Sequence, residues 1–158
     1  MTPGVSRRAA TAADIAFLAS VYASTRMDEL ALTDWDAPRK AEFCQMQFVA
    51  QDKHYRLHYP TAEYQIIEYH GTPAGRLYVD RWSKEIRIMD IALLPAFRGK
   101  GIGTGLLREL QHESAKSRKF LSIHVERFNP ALRLYERLGF HMAEDKGVYL
   151  LMEWRPFT

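Results

Sequence analysis

Four glycines at alternate positions, Gly99, Gly101, Gly103 and Gly105, stand where a β-like run gives way to a helical one. The run Glu85-Ile86-Arg87-Ile88-Met89-Asp90-Ile91-Ala92-Leu93-Leu94 stops at Pro95, and Ile102, Leu106, Leu107 and Leu110 then recur at helical spacing. A strand, a tight loop and a helix N-terminus in this order restrict the chain to an α/β architecture. The glycines permit positive φ and close approach to the main chain, while the unpaired N–H groups of the first helical turn and the helix dipole attract anions. The junction suits a phosphate. It lacks the Gly-x-x-x-x-Gly-Lys-Ser/Thr of a P-loop, because Gly101 follows Lys100. It also lacks Gly-x-Gly-x-x-Gly, because Thr104 or Leu106 falls in the third glycine's place. ATP, GTP and NAD are thereby disfavoured.

Composition narrows the class further. The 158 residues, 47% hydrophobic and 26% charged, fit one soluble globular domain spanning 1–158. Neither a membrane-length apolar run nor a signal-like N-terminus is present, so a cytoplasmic location is expected, with no membrane partner. The single cysteine, Cys44, lies in a helical context and reads as a packed residue. His54 and His58 have a spacing that brings two ligands together on a helix, but no third ligand accompanies them, so no metal is expected. The net charge is +3, and Arg98, Lys100, Arg108, Lys116, Arg118 and Lys119 gather around the loop and its helix. They suit a polyanionic cofactor. Without aromatic residues interleaved among them they do not form a base-stacking surface, so no nucleic-acid partner is expected.

Two motifs together carry a family resemblance. Ala92-Leu93-Leu94-Pro95 followed by Arg98-x-x-Gly101-x-Gly103 resembles the acetyl-CoA loop of the GNAT superfamily of N-acetyltransferases. About thirty residues on, Asn129-Pro130-Ala131 with Tyr135 and Gly139-Phe140 is similar to that family's second signature. The likeness covers roughly residues 75–153, and the first 74 residues match only in their order of elements.

Along the chain, Val5–Ala9 reads as a short edge strand. Thr11-Ala12-Ala13-Asp14 looks like a capping box ahead of a helix with Ile15, Leu18, Ala19 and Tyr22 on one face. The acidic, aromatic segment from Met27 to Pro38 reads as a connection, a second helix runs from Pro38 to Lys53, and Lys53 to Pro60 reads as a loop or frayed helix end. Ala62–Tyr69, Thr72–Asp80 and Glu85–Leu94 form an antiparallel meander. In the last of these, Ile86 and Ile88 share one parity and Ile91 and Leu93 the other, so a β-bulge is expected around Met89-Asp90-Ile91. The glycine-rich loop and a helix ending near Arg118 lead to a strand, Phe120–Glu126, parallel to the previous one. Asn129 caps a helix with Pro130 at its first position and Gly139 past its end, and a hairpin of Phe140–Glu144 and Val148–Glu153 closes the chain. The expected fold is a mixed α/β, GNAT-like domain. Its central sheet has about seven strands with a bulged, splayed central pair, and helices cover both faces.

The resemblance implies a reaction: transfer of the acetyl group of acetyl-CoA to a primary amine of a small molecule or peptide. The alternative is an acyl-CoA-binding sensor without turnover, against which Tyr135 speaks. By likeness to the family, the cofactor-binding residues are Ile91, Leu93, Arg98, Gly99, Lys100, Gly101, Ile102, Gly103, Thr104, Asn129 and Tyr135. The catalytic residues are Tyr135 as the acid for the thiolate and the Leu93 N–H as oxyanion donor. A lysine-like amine is neutral in only about 1 in 2,500 molecules at pH 7, so a base helps. Asp90 is a candidate base or anchor, in a segment similar to that of aminoglycoside-acetylating relatives, and Glu85 is a second carboxylate on the same strand. Arg87 stands where other relatives place a glutamate or histidine. Asp34, Trp35 and Asp36, with Asp28 and Glu29, are acidic and aromatic groups expected at the acceptor's mouth, with Glu85 on the substrate side. A homodimer is compatible with all of this.

Overall fold

The computed structural model describes residues 2–157. One seven-stranded sheet runs through the chain in the order β1-β2-β3-β4-β5-β7-β6. Its strands are β1 (Val5–Ala9), β2 (Glu63–Tyr69), β3 (Thr72–Arg81), β4 (Glu85–Leu93), β5 (Phe120–Glu126), β6 (His141–Asp145) and β7 (Tyr149–Trp154). All neighbours are antiparallel except β4 and β5, the pair joined through the glycine loop and a crossover helix. The helices are α1 (Ile15–Leu30), α2 (Ala37–His58), α3 (Ile102–Ser117) and α4 (Leu132–Arg137).

The sheet separates two apolar layers. On one face Leu106, Leu107 and Leu110 of α3 and Tyr135 of α4 pack with Ile86, Ile88, Leu121, Ile123 and Val125. On the other, Leu18 and Tyr22 of α1 and Phe48 of α2 pack with Tyr64, Ile66 and Tyr78. Helices therefore cover both faces, as alternation along the central strands requires.

The expected bulge is present at the expected place. Tyr78 pairs with Asp90 and Val79 with Ile88, so Met89 is the extra residue. Ile88 and Ile91 then share the α3 face although their parity differs, while Met89 packs with the α1–α2 layer.

Three boundaries differ from the sequence reading. Met27–Leu30 is the last turn of α1 rather than a connection, because Leu30 has a buried site to fill. Lys53–His58 continues α2 rather than fraying. Tyr55 packs edge-on to Tyr78 with ring centroids 5.8 Å apart, and Arg56 lies 3.8 Å over the Tyr64 ring, so tertiary contacts hold a segment of weak intrinsic pattern in the helix. Helix α4 begins at Leu132, three residues after the expected cap. The Asn129 side chain accepts the Ala131 N–H at 2.9 Å and closes a turn that precedes the helix. The helix ends as expected: Gly139 has φ +93°, Phe140 N–H donates to the Tyr135 carbonyl, and Gly139 N–H donates to that of Glu136.

Among the described residues no helix is long and apolar enough to cross a membrane. Among the described residues no group of three or more His, Cys, Asp or Glu side chains comes together, and the His54 and His58 rings meet at 4.4 Å with no third such partner.

Asp36 caps α2 by accepting the Arg39 N–H at 2.9 Å, with Pro38 in the first turn. We expect Asp36→Ala to cost about 1 kcal/mol and to lower Tm by about 2–4 °C in calorimetry, whereas Asp34→Ala stays within about 0.5 kcal/mol of the parent.

Candidate active site

Strands β4 and β5 are paired only from Glu85 with Phe120 to Ile88 with Ile123. Beyond Ile88 the two diverge, and a cavity of about 550 Å³ opens between and above them. Its wall combines Ile88–Ala92 of β4, Ile123–Glu126 of β5, Tyr22 and Arg26 of α1, Tyr55 of α2, Arg76 of β3, Tyr135 of α4 and Lys146 of the closing hairpin.

The main chain of β4 supplies donors to this gap. Leu94 N–H donates to the Ala74 carbonyl of β3 at 2.8 Å, so by strand alternation Ala92 and Asp90 also face β3. A Cβ on Gly75 would collide with the Ala92 carbonyl, which agrees with that orientation. The N–H groups of Ile91 and Leu93 therefore point to the opposite edge, where β5 has moved away. The Leu93 carbonyl on that edge accepts Nε of Arg98 at 3.0 Å. Ile91 and Ala92 line the cavity, while Leu93 lies one step further along the strand, outside that lining.

Below the same edge the chain turns through Pro95–Phe97 into the N-terminus of α3. Gly99 and Gly101 have φ of +74° and +80°, a region that other residues enter only at a cost, and Gly101 is the N-cap. The first bond of the helix ladder is Gly105 N–H to the Gly101 carbonyl, so the N–H groups of Ile102, Gly103 and Thr104 have no partner within the helix. Among the described residues nothing fills the space where a Cβ would stand on Gly99, Gly101 or Gly103, so an anion can approach there.

The polar groups of the cavity are mostly committed to one another. Arg76, only 2% exposed, donates through Nη2 to Asp90 at 2.7 Å and to Gln51 at 2.9 Å. Its guanidinium lies 5.0 Å from the Tyr78 ring centre. A buried guanidinium needs such a carboxylate, and Asp90 owes its inward direction to the extra residue beside it. Tyr55 leans over the bulge, its hydroxyl 3.4 Å from the Met89 carbonyl, and burial followed by the Asp90 charge pushes that phenol up in pKa. Arg26 donates to the Tyr22 hydroxyl at 3.0 Å and to Glu29 at 3.1 Å. Arg87 is held by Glu85 at 2.7 Å and by Ser122. His124 has Arg87 at 3.3 Å and Lys146 at 3.1 Å; burial first, then these two cations, lower its pKa.

Tyr135 is buried in the wall, its ring set edge-on to Phe140 at 5.7 Å. Burial, and after it the Asp90 charge, raises its pKa well above that of a free phenol, so the hydroxyl keeps its proton throughout the physiological range.

The sequence-derived candidates thus divide. Asp90, Ile91, Asn129 and Tyr135 line one cavity, and the loop from Arg98 to Thr104 lies beyond its β4 edge. Asp34, Trp35, Asp36 and Glu85 do not line it. Asp36 is spent on the α2 cap, Trp35 packs on Phe43 at 5.3 Å under Arg39, and Glu85 faces Arg87 and Ser122 at the closed end of the β4–β5 pair. Glu29 of the same acidic segment does reach the cavity, because the extra turn of α1 carries it there. The sequence reading missed Arg76, Gln51, Tyr55, His124 and Lys146. Only Arg76 left a signal, a cation inside the otherwise apolar centre of β3, which demands a buried partner.

Comparison with known proteins agrees with this geometry. A family model described as the acetyltransferase (GNAT) family matches residues 25–140. A mycothiol acetyltransferase of Corynebacterium glutamicum is 39% identical over 78 residues, which is 48% of this chain and 27% of that protein. An uncharacterised N-acetyltransferase of Methanocaldococcus jannaschii is 30% identical over 96 residues, 55% of this chain and 42% of its own. The chain thus spans less than half the length of these curated relatives. Among solved structures, a PaiA N-acetyltransferase from Thermoplasma acidophilum, in complex with coenzyme A, superposes with a TM-score of 0.71 at 16% identity, covering 96% of this chain and 98% of the other.

Removing one member of the Arg76–Asp90 pair leaves a charge facing a low-dielectric wall. Arg76→Met is expected to cost about 3 kcal/mol. Converting Asp90 to Asn in the same chain should recover most of that loss, and a double-mutant cycle by denaturant unfolding checks the coupling.

Proposed function

Because this chain belongs to the GNAT acetyltransferase family, we propose that it transfers the acetyl group of acetyl-CoA to a primary amine by direct attack within a ternary complex. The observation that carries this reading is the divergence of β4 from β5 immediately above the open N-terminus of α3. A thioester arm laid in that gap adds to the free edge of β4 like a short strand, with its pyrophosphate at the N–H groups of residues 99–104. The fold relative with coenzyme A bound supports the same cofactor here.

In this reading the amine enters the cavity from the side of α1 and α2. Attack on the thioester carbonyl places negative charge on its oxygen. The Ile91 N–H is the donor we assign to it, in preference to Leu93, because Ile91 lines the cavity beside Asp90. Collapse breaks the C–S bond, and the Tyr135 hydroxyl donates its proton to the leaving sulfur. Asp90, with one oxygen held by Arg76, anchors the incoming ammonium rather than acting as a free base; the nitrogen loses one proton to solvent before it attacks and a second from the tetrahedral intermediate, and Tyr135 regains its proton from solvent. On the acceptor side, Glu29, Tyr22 and Tyr55 take the part that the sequence reading gave to Asp34, Trp35, Asp36 and Glu85.

Calorimetric titration with acetyl-CoA, followed by a thiol-release assay over tyramine, spermidine and a lysine-containing peptide, tests the proposal. Absence of acetyl-CoA binding would overturn it. Gly101→Val should weaken acetyl-CoA binding at least tenfold and, through its strained left-handed φ, cost about 1–2 kcal/mol while the chain still folds. Tyr135→Phe removes a hydroxyl but keeps the packed ring. Its Tm should stay near the parent value while kcat falls about 10²–10⁴-fold with acetyl-CoA affinity kept. A fall below about threefold would remove Tyr135 from the acid role. Since the Tyr135 proton is held more tightly than usual, the parent should show no loss of kcat from this group as pH rises to about 10.

A further inference from the structure

Lys146 is the one lysine among the described residues that lines the cavity. It belongs to the turn between β6 and β7, and that turn is fastened in place. Lys146 N–H donates to the Tyr149 carbonyl at 2.9 Å, Gly147 N–H donates to Asp145 at 2.9 Å, and Arg127 at the end of β5 bonds both Asp145 and the Gly147 carbonyl. The backbone is anchored, so only the side chain is left to swing, and it reaches inward. Its Nζ stops 3.1 Å from Nε2 of His124 and 3.9 Å from Glu144.

The imidazole between Lys146 and Arg87 has one acceptor nitrogen when neutral. Arg87 spends Nε and Nη2 on Glu85 and Ser122, and the 3.3 Å contact of its Nη1 to Nδ1 is longer than the 3.1 Å contact of Lys146 to Nε2. We therefore assign the acceptor to Nε2, facing the lysine. The charged groups around the ring are Arg87 and Glu85 on β4, Glu144 on β6 and Lys146 on the turn. Burial and the two cations outweigh the two carboxylates and keep the ring neutral. A primary amine against a neutral imidazole, in a cavity that also holds Tyr135, has the parts that acetyl transfer requires.

Resting on the function proposed above, we infer that Lys146 is itself an acetyl acceptor of this site, with His124 as the group that takes its proton. Nζ attacks the thioester carbonyl of acetyl-CoA, a C–N bond forms and the C–S bond breaks. Nζ passes one proton through His124 Nε2 to solvent before it attacks and a second by the same route from the tetrahedral intermediate, while CoA leaves as a thiolate protonated by Tyr135, which regains its proton from solvent. The product is an N-acetyl-lysine whose amide N–H can donate to Nε2, and one of the two cations that lower the His124 pKa is gone. The cavity wall is then less cationic, so self-modification would alter which amines the site admits.

The test uses the full chain and acetyl-CoA alone, read by intact mass and peptide mapping, with acetyl-CoA binding measured in parallel by calorimetry. Expected is one acetyl group on Lys146, formed at a rate that does not depend on protein concentration. It should be absent in Lys146→Arg and slowed about 10²-fold or more in His124→Gln and Tyr135→Phe. Lys53 and Lys84 report the background of direct chemical acetylation. No label on Lys146 in a chain that binds acetyl-CoA overturns this inference and leaves the proposed function standing. The same holds if His124→Gln and Tyr135→Phe react as fast as the parent. Failure to bind acetyl-CoA overturns both.

Discussion

One extra residue in β4 governs this molecule. Met89 breaks the two-residue alternation between Ile88 and Asp90, so the strand bends away from β5 while staying paired with β3. Had the register continued, β4 and β5 would have zipped to their ends, and the Ile91 and Leu93 N–H groups would be consumed by the ladder. The divergence leaves both donors without a ladder partner, the Ile91 N–H in the cavity lining and the Leu93 N–H one step beyond it. Because α3 follows directly, it also sets an open helix N-terminus at the outer end of the same gap. The main chain thus provides an unpaired strand edge and, next to it, an open helix terminus.

The same irregularity places a carboxylate inward, and the rest of the polar chemistry adjusts to it. Asp90 points into the α1–α2 side of the sheet, where Arg76 balances it from the neighbouring strand and Gln51 from α2 holds the guanidinium. Taking both charges from water costs several kcal/mol per ion, which the short pair offsets only because both stay hydrogen-bonded. The Asp90 charge is felt further off, since it raises the pKa of the Tyr55 and Tyr135 phenols beyond what burial does. Two hydroxyls that keep their protons are the result, both on the cavity wall.

The cavity is consequently uneven. Toward α1 and α2 it is aromatic and balanced in charge, with Arg26 against Glu29 and Arg76 against Asp90. Toward β5 and the closing hairpin it is basic, where Arg87 and Lys146 flank a neutral imidazole. The cavity thus presents the Asp90 carboxylate on one side and the His124 imidazole on the other.

The sequence by itself determined what depends on short-range rules. The glycine spacing at 99–105 and the parity slip from Ile88 to Ile91 each declare their backbone consequence within a few residues. The bulge, the strand-loop-helix junction and the position of Tyr135 on its helix were therefore legible. Gly139 as the end of α4 was legible for the same reason, since a left-handed φ there is a local demand. The partners of charged groups were not. Asp90 and Arg76 are fourteen residues apart, His124 and Lys146 twenty-two, and nothing in either neighbourhood names the other. The extension of α2 to His58 and of α1 to Leu30 also escaped the pattern, because Tyr55 and Leu30 are held by contacts with distant strands and helices rather than by periodicity. Tertiary structure alone decided that Asp34, Trp35 and Asp36 stand clear of the cavity and that Glu29 enters it. One further turn of α1, stabilised by burying Leu30, rotates one carboxylate inward and carries the others past the site.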